Sequence, residues 1–368
     1  MKKIEFLDLK EINKNYENSL KKELINVLNN GWFILGENVS AFEKEYALFS
    51  NAKYCIGVAN GLDALIISLK TLGIGPGDEV IVPSNTYIAS WLAVTHVGAT
   101  PVPVEPNLMT YNIDPCLIEN RITPSTKAIM AVNLYGQACE LDKIKEICNK
   151  HSIFLIEDNA QAQGATCNNI LAGSFGDISG TSFYPGKNLG AIGDAGAITT
   201  NNDSLKNLAN VYRNYGSRVK YYNEFIGYNS RLDELQAAFL RVKLKDLDTQ
   251  NNYRASLAGI YNKLLNNNEN IILPFLANGC TSIYHIFMIR TKNRDKLQKY
   301  LQERNIQTMI HYPLPPHLQE AYKSLNFKKG DFPIAEEIAK TCLSLPMGPH
   351  LTYDDIEYVA DSINLFFQ

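Results

Sequence analysis

The sequence has no CxxC spacing, although it carries seven cysteines, at positions 55, 116, 139, 148, 167, 280 and 342. Odd in number and scattered, they exclude a disulfide framework or a cysteine zinc site, and they read as reduced thiols of a cytoplasmic protein. The six histidines include no HExxH pair, so no metal site is expected. No apolar run approaches the roughly 18 residues that a membrane helix needs. The start, Met1-Lys2-Lys3-Ile4-Glu5, meets an acid before any apolar stretch, and no signal peptide is expected. An excess of one charge is missing too: 35 Lys+Arg stand against 38 Asp+Glu, a net −3. That balance excludes a strongly basic nucleic-acid binder and an acidic disordered tail. Internal repeats and low-complexity runs are also absent.

What remains is an ordinary globular composition, with 45% hydrophobic and 20% charged residues in 368. Such a length suggests two or three domains, and its core needs no disulfide or structural metal. From about residue 53, short β-rich runs alternate with helical patterns. Strands are predicted at 54–58, 80–82, 101–104, 127–133 and 153–156, with helices at 62–72, 86–97 and 141–150 between them. This alternation predicts an α/β fold with a mostly parallel sheet covered on both faces. Further strands are expected at 178–183 and 195–199. A helix opens at Ser230 with Leu232, Leu235, Phe239 and Val242 at helical spacing. Beyond it, helices at 253–265, 294–303 and 353–366, a strand at 284–289 and a Pro-rich loop at 311–316 suggest a smaller α+β unit. The expected division is a large domain over 1–245, N-terminal segment included, and a small domain over 246–368.

Three segments could carry chemistry. Val58-Ala59-Asn60-Gly61-Leu62 follows a strand and opens a helix. Free N–H groups and the helix dipole make such a junction an anion site, though an Asn-Gly turn capping a helix has the same sequence. Ile156-Glu157-Asp158-Asn159-Ala160-Gln161 puts acids at the C-terminal end of an apolar strand, the edge where open α/β sheets bind ligands. Taken alone, these are equally solvated strand-end acids. Ser182-Phe183-Tyr184-Pro185-Gly186-Lys187-Asn188 sets a lysine in a tight turn after an apolar strand. Most lysines in such turns are surface residues, but a desolvated one can form a Schiff base. A dinucleotide fingerprint is missing, because Gly73-Ile74-Gly75-Pro76-Gly77 precedes a strand rather than following one.

The three segments explain one another. Pyridoxal 5′-phosphate (PLP) requires a phosphate cradle, a lysine for its aldehyde and a carboxylate for its pyridinium nitrogen. The chain offers one candidate for each in the same α/β region.

With these residues in view, the chain resembles the DegT/DnrJ/StrS-type sugar aminotransferases, PLP enzymes of the aspartate-aminotransferase fold (fold type I). The resemblance runs from Phe6-Leu7-Asp8-Leu9 through Gly227-Tyr228-Asn229-Ser230-Arg231 to Tyr312-Pro313-Leu314-Pro315-Pro316-His317. It implies Lys187 as the Schiff-base lysine and Asp158 as the pyridinium partner. Gln161 would contact the ring's O3′, and Tyr87 would stack on the ring. Ser182 with Asn60, Gly61 and Leu62 would form the phosphate cup. Asn229 would reach the phosphate of the other subunit's PLP, which implies a homodimer. The family often has Ser-Gly-Thr at the phosphate turn; here it is Asn60-Gly61-Leu62, so two hydroxyls are missing.

The Asn-Gly-Leu-Asp-Ala-Leu form resembles the branch acting on dTDP-3-keto-6-deoxyhexoses. In that branch Tyr184, Lys220, His311 and Tyr312 would line the sugar-nucleotide site, with His317 beside them. Lysine rather than histidine at 187 implies transamination rather than sugar dehydration. The implied reaction moves an amine from L-glutamate to C3 of a dTDP-keto-deoxyhexose, giving a dTDP-3-amino-3,6-dideoxyhexose of galactose or glucose configuration for O-antigen or similar glycans. Two rivals stay open: a 4-aminotransferase on dTDP-4-keto-6-deoxyglucose, and a non-catalytic regulatory protein on the same fold. No partnership with nucleic acid or membrane is expected.

Overall fold

A computed structural model describes residues 3–368. Three helices precede the first strand: α1 (Leu9–Lys14), α2 (Glu17–Asn30) and α3 (Glu37–Phe49). Asp8 caps α1 by accepting from the Glu11 N–H, and α2 stops at Gly31, whose φ of 64° suits glycine. The strand–helix alternation then begins. It runs β1 (Tyr54–Val58), α4 (Gly61–Thr71), β2 (Glu79–Pro83), α5 (Ile88–His96), β3 (Thr100–Val104), α6 (Pro115–Ile118), β4 (Thr126–Val132), α7 (Leu141–His151) and β5 (Phe154–Asp158). A two-residue hairpin, β6 (Thr166–Cys167) and β7 (Ile170–Leu171), leads to β8 (Ile178–Ser182) and β9 (Gly196–Thr200). α8 (Asp203–Tyr212), a second small hairpin of β10 (Ser217–Val219) and β11 (Tyr222–Asn223), and α9 (Glu234–Leu244) complete this region.

The main sheet has seven strands in the order β1-β9-β8-β5-β4-β2-β3. β2, β3, β4, β5 and β8 pair in parallel, while β9 runs antiparallel to both β8 and β1. Strand alternation sends neighbouring residues to opposite faces. Val80 and Val82 enter one buried cluster with Leu65, Leu69 and Trp91 from α4 and α5; Ile81 enters another with Leu141 and Ile144 from α7. Both faces are therefore covered, as the near-continuous apolar runs require. The parallel strands carry their C-terminal ends to one edge, and reversed β9 brings its first residue, Gly196, to the same edge opposite Val58 and Ser182.

Beyond Asp246 come α10 (Leu247–Leu265), β12 (Phe287–Arg290), α11 (Arg294–Glu303), α12 (Pro333–Thr341), β13 (Cys342–Leu345) and α13 (Tyr353–Phe366). β12 and β13 pair antiparallel, and α10, α11 and α13 pack with them around Tyr261, Phe287 and Ile356. Two features depart from the expected division. Ile4 bridges Ile306 and is buried in this C-terminal cluster, so the N-terminal segment does not simply belong to the large region. Tyr322 packs back onto Trp91 in the core of the main sheet. The helix expected from Ser230 begins at Glu234, because residues up to Asp233 stay extended against the turn before α3. Among the described residues no helix is long and apolar enough to cross a membrane, and no group of His, Cys, Asp or Glu could hold a metal ion.

Candidate active site

The turn from β1 into α4 is built by backbone contact. Asn60 caps α4, its Oδ1 accepting from the Asp63 N–H at 2.8 Å. Its side chain is thus occupied, and the free amides of the first turn remain for a ligand. A Cβ on Gly61 would lie 2.5 Å from the Ser182 Cβ, and one on Gly196 would lie 2.4 Å from the Asn60 carbonyl. Only glycines let this turn fold down onto the end of β8. Leu62 follows, packed against the core below. The result is a tight pocket of amides beside the Ser182 hydroxyl, which accepts from the Tyr184 N–H at 3.3 Å.

At the end of β5 the two adjacent acids separate. Glu157 faces the loop after β7, where it accepts from the Gly173, Phe175 and Gly176 N–H groups at 2.7, 2.9 and 2.8 Å. It is a structural clamp. Asp158, on the opposite face, is buried and accepts from the Ser90 hydroxyl at 2.7 Å and the Ala160 N–H at 3.2 Å. Burial raises its pKa, while Ser90, Ala160 and the charge of Lys187 pull it down. Ser90 lies in the first turn of α5 and has no signature in the sequence, since its contact with Asp158 spans 68 residues.

Lys187 closes the turn that starts at Tyr184, its N–H donating to the Tyr184 carbonyl at 2.8 Å. Burial pushes its ammonium down to about 8, and Asp158 acts in the opposite sense. The next residue anchors the turn. Asn188 Nδ2 donates to Asn251 Oδ1 at 2.8 Å and to the Ile283 carbonyl at 3.2 Å. Its Oδ1 can only accept, so the His285 ring nitrogen 3.2 Å away is the protonated Nδ1. Burial, with the Lys187 and Arg254 charges nearby, holds His285 well below its usual pKa, and it is neutral. Asn188, Asn251 and His285 were not expected at the site. They lie on three separate segments that converge only in the fold.

Gln161 is held at both ends. Its Oε1 accepts from the Tyr135 N–H at 2.7 Å, and its Nε2 donates to the Tyr312 hydroxyl at 3.2 Å. The Tyr312 ring lies 5.2 Å from the ring of Tyr87, which is 53% exposed. Tyr135 also donates to the His311 carbonyl, fixing the loop that carries both His311 and Tyr312. His311 Nδ1 meets the Ser344 hydroxyl at 2.9 Å, and burial with the charge of Lys187 lowers its pKa to about 4. The ring at 311 is therefore uncharged at neutral pH.

Four other expected residues remain. Tyr184 is exposed. Lys220 stands on the β10–β11 hairpin with its ammonium over the Tyr221 ring, and Asn229 is exposed. Neither forms a hydrogen bond or ion pair with the Lys187 cluster among the described residues. His317 requires a correction. Its side chain has no exposed surface, and its Nε2 meets Glu336 Oε1 at 3.1 Å while the ring packs on Phe332. Polar pairing and an aromatic neighbour make it a core residue, so it lines no open site in this chain.

PLP fits this arrangement. The close approach that only glycine allows at 61 sets the N-terminal amides of α4 beside the Ser182 hydroxyl, the donor set an anion needs; the buried Asp158 carboxylate has no ion-pair partner among the described residues, and Lys187 has an ammonium that readily loses its proton. The fold and these groups define a PLP-dependent enzyme of fold type I. The chain belongs to the DegT/DnrJ/EryC1/StrS aminotransferase family, whose model matches residues 14–364. It is 51% identical over 363 residues to the dTDP-3-amino-3,6-dideoxy-alpha-D-galactopyranose transaminase of Aneurinibacillus thermoaerophilus, covering 99% of both chains. Among solved structures, DesV of S. venezuelae in complex with a ketimine intermediate superposes with a TM-score of 0.98 at 44% identity, over 100% of this chain and 99% of that one. NtdA of Bacillus subtilis with bound cofactor PMP gives a TM-score of 0.93 at 31% identity, over 100% of this chain and 86% of that one.

Proposed function

We propose that the enzyme transfers the amino group of L-glutamate to C3 of a dTDP-linked 3-keto-6-deoxyhexose, giving a dTDP-3-amino-3,6-dideoxyhexose for O-antigen or a similar glycan. The carrying observation is the meeting of Lys187, Asp158 and the Gly61–Ser182 cradle at one sheet edge, in a chain whose 51% identical relative is named for such a product. That relative supports the galactose configuration.

PLP bound at this edge supplies an aldehyde that exchanges amino groups and a ring that takes up the electron pair left when a proton leaves carbon. The residues do the rest. Lys187 Nζ, with its pKa near 8, carries the proton, because an amine poised close to working pH both takes and returns it. The Asp158 carboxylate holds the ring nitrogen protonated. The amides of the N-cap Asn60 and of Gly61 and Leu62, with the Ser182 hydroxyl, would grip the phosphate. Tyr87 would cover the ring face, and Gln161 Nε2, which keeps a second hydrogen beyond the one given to Tyr312, would donate toward the ring oxygen. Tyr184, His311 and Tyr312 line the sugar side, with His311 acting as a neutral hydrogen-bonding ring. Lys220 and Asn229 serve the site of a second subunit in a homodimer, which their exposure supports. A cytoplasmic setting is supported by the seven free cysteines.

The test is incubation of the holoenzyme with L-glutamate and dTDP-4-keto-6-deoxyglucose, with and without a 3,4-ketoisomerase, reading products by mass and NMR. An amine at C3, formed only with the isomerase, is expected. An amine at C4 without the isomerase moves the enzyme to the 4-amino branch. No amine in either mixture overturns the sugar class.

A further inference from the structure

Asp158 forms no ion pair among the described residues, although it is buried and must carry a charge to serve a ring nitrogen. Its orientation comes from neutral donors. The shorter contact is Ser90 Oγ to Oδ2, at 2.7 Å; the Ala160 N–H reaches Oδ1 at 3.2 Å. Ser90 has one proton. A carboxylate only accepts, so that proton goes to Asp158. Thr86 Oγ1 lies 2.9 Å from Ser90 Oγ, and with the Ser90 proton spent, Thr86 is the donor there. The result is a directed chain, Thr86 to Ser90 to Asp158, whose three members are all buried. Hydrogen bonds to a charged acceptor are the strong ones, and successive donors polarise each other. The chain also crosses the N-terminus of α5: Thr86 precedes the N-cap residue Tyr87 and Ser90 lies in the first turn, where the positive end of the helix dipole favours a neighbouring anion. Without Ser90, the carboxylate of Asp158 would keep one long backbone contact and rotate about its side-chain torsion.

We propose that Ser90, itself oriented by Thr86, is the positioning residue that locks the Asp158 carboxylate and leaves its remaining lone pairs to the cofactor's ring nitrogen. This rests on the reading of Asp158 as the ring-nitrogen partner. Ser90 touches neither cofactor nor substrate in that role. Its effect reaches the reaction through the proton on the ring, and that proton decides how well the ring accepts electrons.

The experiment reads the nitrogen directly. Holoenzyme is prepared with PLP carrying ¹⁵N in the ring, and the ¹⁵N shift is followed with pH beside kcat and KM for glutamate. Wild type is expected to show a protonated ring nitrogen throughout the neutral range. Ser90→Ala should shift the nitrogen toward the unprotonated value and lower the pH at which its proton is lost. Its kcat should fall about tenfold, the size of one such contact, with KM for glutamate within about twofold. Ser90→Thr, which keeps the hydroxyl, should recover the wild-type shift. Thr86→Val, nearly isosteric, should move the nitrogen the same way by less, which covers the case of a poorly folding Ser90 variant. A wild-type shift and pH profile in both Ser90→Ala and Thr86→Val would reduce Ser90 to packing and overturn the proposal. Asp158→Asn separates the two levels. If it leaves the nitrogen protonated, the reading of Asp158 fails; if it removes the proton while Ser90→Ala does not, only the role of Ser90 fails.

Discussion

Lys187 sits under two opposing influences. Burial disfavours its ammonium and lowers the pKa to about 8, while the Asp158 carboxylate stabilises the ammonium. Only the free amine captures an aldehyde. At pH 7 a lysine of pKa 8 is about one-tenth free amine, against less than about one in a thousand for an ordinary lysine. The rate at which PLP binds covalently to cofactor-free protein should therefore rise with pH through a midpoint near 8, followed by the growth of visible absorbance. Removing the Asp158 charge leaves burial unopposed, so Asp158→Asn should move that midpoint to lower pH even as it damages turnover. A midpoint unchanged in Asp158→Asn would mean that the two groups do not share a field, and a wild-type midpoint near 10 would mean that burial does not lower the lysine. Lys187→Ala should show no covalent capture at any pH.

Helix α3 begins with amides that the helix itself cannot satisfy, and Glu234 at the start of α9 supplies the acceptor. It takes the N–H groups of Gly36, Asn38 and Val39 at 2.7, 2.9 and 2.9 Å. A buried carboxylate thereby caps a helix almost two hundred residues away. Glu234→Ala leaves three donors unpaired and should cost about 2 kcal/mol, seen as a lower urea midpoint; Glu234→Gln, which keeps one acceptor oxygen, should lose less. Equal midpoints for the two variants would argue that packing, not capping, fixes this joint. The same contact shows what the sequence pattern could and could not disclose. β1 through β5 with α4, α5 and α7 were legible because each strand is apolar and each helix has a deep buried face. The N-terminal helices were not, because α1 buries nothing and α2 buries only Leu20 and Val27. At the site, Gly61, Asp158 and Lys187 were legible because each stands at a strand end, where the chemistry of one short segment shows. Ser90, Asn188 and His285 act through partners on distant segments that only the tertiary fold brings near, and an isolated serine or asparagine carries no such signal. His317 misled for the opposite reason. A histidine in a Pro-rich loop looks available until Glu336 and Phe332 enclose it.

At the scale of the molecule, several exposed apolar side chains have no role in the site. Trp32 and Phe33 before α3 are 64% and 52% exposed, and Tyr221 and Ile226 near the β10–β11 hairpin are 84% and 97% exposed. Apolar side chains in such groups mark contact surfaces. Lys220 in the hairpin and Asn229 shortly after it are exposed and make no hydrogen bond or ion pair with the Lys187 cluster among the described residues, which is the arrangement expected if each site borrows residues from a second copy. In a two-fold dimer this borrowing is reciprocal. Lys187→Ala and Asn229→Ala should each be impaired as pure proteins, the first abolished and the second weakened in PLP retention. Unfolded together and refolded as a mixture, half of the dimers pair one variant with the other. In such a dimer one site combines an intact Lys187 with the partner's intact Asn229, while the other site lacks both. Activity should then recover to roughly a quarter of wild type, from one good site in half of the dimers. If the mixture is no more active than the mean of its two parents, Asn229 serves its own chain's site, and the exposed hairpin must owe its apolar residues to some other contact.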